Sequence, residues 1–281
     1  MSAQILDGRA TARAIVEDLG DQVQQLKAET GKAPVLATVI VGDDPASHTY
    51  VRMKVDRSRK AGIEPRQITL DAASTTEQVV AEVRALSEDD DVDGILVQHP
   101  APSQVDEAQV FGAIDPAKDV DGVTPGSLAS MAFAEQGFRS ATPGGIMRLF
   151  DHYGIERAGK EAVVVGRSRI LGIPMGLLLL ADDATVTYCH SKTPDLQAAV
   201  SRADIVVAAA GRPHLIRGEW IKEGAVVADA GYADNTGDVE FEAASERASW
   251  ITPVPGGVGP MTIACLLEQT VQAHRHRHGL T

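Results

Sequence analysis

Apolar residues along this chain recur in two alternating rhythms, and the alternation predicts helices and strands in turn. Asp7 reads as an N-cap, after which Ile15, Leu19, Val23 and Leu26 recur at helical spacing until Gly31 stops the segment. The run PVLATVIVG (34–42) is apolar almost throughout, the mark of a strand buried on both faces. Residues 43–45 supply a turn and 47–60 a helix closed by Gly62; Tyr50 and Lys54 lie four apart on it and share one face. A second strand is expected over 63–70, a helix over 75–86 with Val79, Val83 and Leu86 inward, and a third strand over GILVQHP (94–100). Strand and helix in alternation call for a parallel sheet covered on both sides.

From Pro100 to Gly122 the pattern loosens into PAPSQ, a short helix near 106–111 and the turn-rich IDPAKDVDG, which marks a domain boundary. After a bridging segment, 124–138, Thr142-Pro143 opens a helix through Tyr153 that leads into a strand at Ala162. Strands follow near 184–190, 205–210, 225–230 and 250–255, with a helix near 194–202. PGGVGP (255–260) reads as a rigid, glycine-hinged loop before a closing helix from Met261 to about Ala273. The expectation is an α/β protein of two domains.

The stretch AVVVGRSRILGIPM (162–175) carries the first chemistry. A valine-rich strand ends abruptly at Gly166, a basic loop follows, and the chain turns helical from about Gly172. Such a junction offers free backbone N–H groups and the positive end of a helix dipole to an anion. The spacing departs from G-x-G-x-x-G and by itself could merely turn a corner. In an NAD site an acid at the tip of the second strand accepts the ribose 2′-hydroxyl. Here that strand, ATVTYCH (184–190), runs into Ser191 and Lys192 with no acid. A carboxylate there would repel a 2′-phosphate, whereas serine, lysine and the arginines at 167 and 169 would bind one, so the cofactor is read as NADP.

With 26 basic against 39 acidic residues and a net charge of −13, the chain lacks the basic face of a nucleic-acid binder. That makes the arginines near 167 a local exception. Two cysteines, Cys189 and Cys265, form neither a metal pair nor a disulfide framework and read as core residues. No signal-peptide segment and no stretch of about 18 apolar residues is present, so neither membrane nor metal is expected and a cytoplasmic location is. The tail HRHRH (274–278) reads as the solvated end of the last helix.

Three positions in the first half could carry chemistry beyond the strand ends. Tyr50 and Lys54 fit a surface pair, or a lysine whose pKa is lowered by desolvation until it can move protons near neutral pH. Gln98 ends the third strand, where ligands gather in open sheets, and fits equally a strand-end amide satisfying a loop. Asp119 and Asp121 in KDVDG fit linker turns. Spacing alone leaves each pair of readings open.

Resemblance narrows them. VGDDPASHTYVRMK (41–54), GILVQHP, KDVDG, TPGGI (142–146), VVGRSRILGIP, ATVTYCHSKT and ITPVPGGVGPMTIA (251–264) together resemble the bifunctional methylenetetrahydrofolate dehydrogenase/methenyltetrahydrofolate cyclohydrolase family from about residue 5 to 270. The resemblance implies a folate-binding catalytic domain over 1–122, completed by the last helix (about 262–281), and a Rossmann-type NADP-binding domain over 140–260, the two flanking a cleft. Lys54 would be the catalytic lysine, Gln98 the neighbour that keeps it deprotonated, and Tyr50 a residue lining the folate rings. Asp121 would accept the pterin amino and ring N–H groups, while Pro255 and Gly256 would bring backbone against the folate. Gly166, Arg167, Ser168 and Ser191 would hold NADP, with Tyr232 beside the nicotinamide. It further implies a homodimer, a folate substrate, and a place in one-carbon metabolism and purine biosynthesis.

Some positions depart from the family pattern. Gln98-His99-Pro100-Ala101-Pro102 stands where Gln-Leu-Pro-Leu-Pro is usual, Ala141 replaces a common cysteine, Tyr232-Ala233 stands for Ile-Asn, and Arg169 and Ile173 alter the cofactor loop. Two other readings compete: an NADP dehydrogenase of a different small molecule on a similar frame, as in shikimate or amino-acid dehydrogenases, and a non-catalytic folate- or nucleotide-binding protein.

Overall fold

The structure, a computed structural model, describes residues 2–42 and 45–280, and of residues 45–50 it describes the backbone only. The first half builds β1 (Gln4–Ile5), α1 (Gly8–Thr30), β2 (Val35–Val41), α2 (Pro45–Lys60), β3 (Glu64–Leu70), α3 (Thr76–Glu88), β4 (Gly94–Val97), α4 (Glu107–Phe111) and α5 (Pro125–Phe133). The second builds α6 (Ala141–His152), β5 (Glu161–Val165), α7 (Gly172–Ala181), β6 (Thr185–Cys189), α8 (Leu196–Arg202), β7 (Ile205–Ala208), β8 (Val226–Asp229), α9 (Phe241–Ser245), β9 (Trp250–Ile251) and α10 (Val258–Arg277).

Two compact units result, each with its own parallel sheet. In the smaller sheet the order is β3-β2-β4, with Leu36 opposite Gly94 and Val39 opposite Val97. The central β2 is buried along nearly its whole length, which explains its unbroken apolar run. Gly94 opens β4 because a Cβ there would lie 2.7 Å from the Val120 side chain and 3.3 Å from Thr270 Oγ1. The larger sheet has the order β1-β9-β8-β7-β5-β6, and a core of Val163, Val165, Val206 and Val227 lies against it. This is a doubly wound arrangement, in which ligands collect beyond the carboxyl ends of the strands.

Chain continuity does not follow the sheets. The larger-sheet unit takes the chain up to Arg13, Ser130–Gln136 and Ser140–Cys265; the other takes Ala14–Ala129, Gly137–Arg139 and the chain from Leu266 on. The first residues, expected with the N-terminal domain, instead pair as β1 with β9, Gln4 opposite Trp250. A two-residue strand has too little periodicity to announce which sheet it joins. The supposed bridging segment contains α5, whose start is capped where Ser127 N–H donates to Thr124 Oγ1 at 3.1 Å. The closing helix begins at Val258 rather than Met261. Pro260 is tolerated there, because the first helical turn has no intrahelical use for the N–H that proline lacks.

The tail corrects a further expectation. His274 is fully buried, not solvated. Its Nδ1 lies 3.1 Å from Asp93 Oδ2 and its Nε2 3.2 Å from Thr30 Oγ1, while the same Asp93 oxygen accepts from Val35 N–H at 2.7 Å. Arg277 Nη2 sits 2.9 Å from the other Asp93 oxygen. The end of α10 is thereby pinned to the start of both β2 and β4, a fixture that no helical periodicity discloses. His274→Ala should remove the pin and lower the unfolding free energy of this unit by about 2–4 kcal/mol. Hydrogen exchange at the β2 and β4 amides measures the loss, and unchanged protection there would show that the pin carries no weight.

Candidate active site

Gln98 extends β4 by one more rung, its N–H donating to Val39 carbonyl at 2.8 Å, so its side chain stands at the carboxyl end of the small sheet. The amide can face only one way. Nε2 donates to the His99 carbonyl at 2.7 Å, a group that can only accept, and this leaves Oε1 turned toward Lys54. Lys54 Nζ donates to that oxygen at 3.0 Å. Helix α2 presents Lys54 on the same face as Val51 and Ser58, both buried, and Ser58 Oγ donates to the Lys54 carbonyl at 2.9 Å.

Burial pushes the Lys54 ammonium below the ordinary lysine value, because it strips hydration from the charged form; the Asp121 carboxylate opposes this by favouring the ammonium. The two aspartates of KDVDG have separate tasks. Asp119 is fully buried and accepts from Val123 N–H at 3.0 Å, Thr124 N–H at 2.8 Å and Ser127 Oγ at 2.6 Å. It shapes the turn, and Gly122, at φ +63°, completes it. Gln269 of α10 steadies the same loop from below by donating to the Val120 carbonyl at 2.7 Å. Asp121 is the member that faces the lysine. Its Oδ2 also lies 3.8 Å from His99 Nε2. The backbone of Tyr50 belongs to α2, but its side chain lies outside the described residues.

The larger unit holds the second constellation. The loop after β5 is compressed by two glycines: at Gly166, φ +142°, a Cβ would strike the Ala209 carbonyl, and at Gly172 it would lie 2.6 Å from Arg167 N. Gly166 N–H donates to Cys189 carbonyl at 2.9 Å and Ala209 N–H to Val165 carbonyl at 2.8 Å, so the tips of β5, β6 and β7 converge on this loop. Ser168 Oγ accepts from Gly172 N–H at 3.2 Å and tethers the loop to the first turn of α7, leaving Arg167 and Arg169 exposed. Beyond β6, Ser191 and Lys192 are exposed, and the next acid, Asp195, is committed to capping α8 through Ala198 N–H at 2.8 Å. A turn closed to any Cβ, a helix N-terminus and basic side chains without a nearby free carboxylate fit a dinucleotide with a 2′-phosphate.

Tyr232 lies on the turn after β8, and its hydroxyl donates to Asn235 Oδ1 at 2.8 Å. That turn is built by two acids the sequence reading missed. Asp229 accepts from Gly231 and Asp238 N–H at 2.9 and 3.0 Å and from Val239 N–H at 2.9 Å, and burial pushes its carboxyl up to about 6. Asp238 accepts from Ala210, Gly211 and Arg212 N–H at 2.6, 3.0 and 2.6 Å. The available signal was Gly231 and Gly237, where a Cβ would strike the Asp238 and Asp229 carboxylates. Pro255 follows a cis peptide and Gly256 has φ +116°, both just before α10. They belong to the larger-sheet unit, whereas Lys54, Gln98 and Asp121 belong to the other.

Asp121→Asn removes the carboxylate that favours the Lys54 ammonium, so the lysine pKa should fall further. Labelling of Lys54 by an amine-reactive reagent, followed by mass spectrometry across pH, should then move to lower pH in the variant. No movement, or movement upward, would mean the two groups are not coupled.

Residues 6–121 match the model for the tetrahydrofolate dehydrogenase/cyclohydrolase catalytic domain, and residues 140–278 match its NAD(P)-binding domain. Among curated relatives, bifunctional protein FolD 1 of Salinispora arenicola is 60% identical over 280 residues, covering 99% of this chain and all of the relative. The solved structure of the bifunctional FolD enzyme from Campylobacter jejuni superposes with a TM-score of 0.95 at 41% identity, over 98% of this chain and 100% of that one. The Trypanosoma brucei enzyme, solved with NADP cofactor and inhibitor, gives 0.94 at 39% identity and covers 98% of each chain. Because both domain models match in order and a relative matches over its full length, the chain belongs to the tetrahydrofolate dehydrogenase/cyclohydrolase family.

Proposed function

We propose that Lys54, Gln98 and Asp121 carry the folate chemistry of this bifunctional enzyme, and that Gly166, Arg167, Ser168 and Ser191 hold its NADP. The two activities are oxidation of 5,10-methylenetetrahydrofolate to the methenyl form and hydrolysis of that product to 10-formyltetrahydrofolate. The observation that carries the assignment is the Lys54 amine, its pKa lowered by burial, set 3.0 Å from the Gln98 oxygen. On this reading the unit with the small sheet binds folate and the unit with the large sheet binds the cofactor.

NADP, when bound, supplies the acceptor for the hydride that leaves the bridging carbon. The two folate nitrogens on that carbon share the positive charge left behind. Water then adds to the carbon, and Lys54, whose neutral form burial favours, takes the proton that the new C–O bond releases. It returns that proton to the folate nitrogen as the C–N bond breaks and the ring opens, and the remaining hydroxyl proton passes to solvent as the formyl carbonyl forms. Gln98 orients the amine for both transfers. Asp121 accepts the pterin amino and ring N–H groups through its two oxygens, a pairing that a planar carboxylate suits. Tyr50 lines the rings, Pro255 and Gly256 offer backbone to the folate, and Tyr232 lies toward the nicotinamide.

The reading includes a homodimer paired through the cofactor unit. In support, β6 is an edge strand with Tyr188 38% exposed, and Leu180 on α7 is 58% exposed. Acting on soluble folates, with no helix among the described residues long and apolar enough to cross a membrane, the enzyme is assigned to the cytoplasm and to purine biosynthesis.

Purified protein mixed with 5,10-methylenetetrahydrofolate and NADP should produce NADPH and a methenyl absorbance that then decays. Lys54→Met should slow that decay by about a hundredfold or more while NADP affinity stays nearly constant. A large loss of NADP affinity, or normal decay, would show that the lysine is misassigned. Arg167→Ala should weaken NADP by about tenfold and NAD much less, since only NADP carries the extra phosphate. Equal weakening would refute the 2′-phosphate contact.

A further inference from the structure

One side chain next to the proposed folate site has no part in the scheme above. His99 follows Gln98 directly, where an alkyl side chain is usual in the family that the sequence resembles. Its backbone is held by a hydrogen bond and its ring by an aromatic neighbour. The His99 carbonyl accepts from Gln98 Nε2 at 2.7 Å, and buried Phe111 meets the imidazole edge-on at a centroid distance of 6.2 Å and an interplanar angle of 84°. The segment that follows is also held, with Ala101 N–H donating to Glu107 Oε1 at 2.7 Å. In this pose Nε2 points to Asp121 Oδ2 at 3.8 Å, the carboxylate side chain being 12% exposed and the imidazole 29%.

The geometry points to His99 as a positioning residue for Asp121. A carboxylate that must accept two pterin N–H groups at once gains from having its plane fixed before the substrate arrives. An imidazole nitrogen placed 3.8 Å from one of its oxygens gives the carboxylate a polar neighbour to orient against, and a leucine offers none. The inference rests on the reading of Asp121 as the pterin acceptor. His99 touches neither the reacting carbon nor the proton path and acts only through the carboxylate. Substituting its side chain leaves the backbone carbonyl in place, so the orientation of Gln98 is retained.

A double-mutant cycle tests this. The KM for methylenetetrahydrofolate is measured for the native protein, His99→Leu, Asp121→Asn and the double variant, with NADP affinity as the check on folding. His99→Leu should raise the folate KM about three- to fivefold, as expected for a partly exposed polar contact. His99→Gln, whose amide still offers an N–H, should recover most of that loss. In the Asp121→Asn background His99→Leu should change nothing further. The same rise in both backgrounds would overturn the positioning role while leaving the folate reading of Asp121 intact. A native folate KM in Asp121→Asn would overturn that reading, and this inference with it.

Discussion

The contact between the Lys54 amine and the Gln98 amide is the constraint on which the proposed chemistry depends. A lysine in water keeps its proton far above neutral pH because hydration stabilises the ammonium. Here α2 and the end of β4 remove part of that hydration, and the neutral amine gains. Asp121 pulls the other way, and burial is the larger of the two effects. The proposed proton transfers draw on that shift toward the neutral amine. Gln98 suits the position since an amide adds no charge of its own to this balance. A glutamate in its place would hold the lysine as a permanent cation.

Acidic side chains are used in two distinct ways in this molecule, and the difference is visible in their partners. Asp119, Asp229 and Asp238 are buried, and each carboxylate is engaged by backbone N–H groups, those of its own loop for Asp119 and Asp229 and those of the loop after β7 for Asp238. They take the place of regular secondary structure where the chain must turn sharply, by satisfying amide groups that would otherwise lie unpaired. Asp121 faces other side chains instead, a lysine and an imidazole. Two residues of one motif, separated by a single valine, thus divide into the one that builds the loop and the one that the loop presents.

Membership of the family in both units bears on the competing readings. A dehydrogenase of some unrelated small molecule on the same frame would be expected to share only the cofactor half, yet the catalytic-domain model matches residues 6–121 as well. The cofactor half makes its own physical case. Its first loop admits no Cβ at either glycine, and the tip of β6 has no free acid. A non-catalytic binder would have no need of a desolvated amine held on a turned amide.

Local pattern was enough for most of the elements, because a buried strand must be apolar on both faces and an amphipathic helix must repeat near every third or fourth residue. The strands β2, β4, β5, β7 and β8 were legible for that reason, and the absence of an acid after β6 could be read straight from the letters. Motif resemblance singled out Lys54, Gln98 and Asp121, but spacing alone left each with a bland alternative. Partners distant along the chain were invisible: β1 on the far edge of the larger sheet, the burial of His274 against Asp93, Asp229 and Asp238 as loop builders, and His99 facing Asp121. Periodicity records which face of an element is dry. It does not record which other element lies against that face, and it is the second fact that lowers the pKa of an ordinary lysine and buries His274 as a pin.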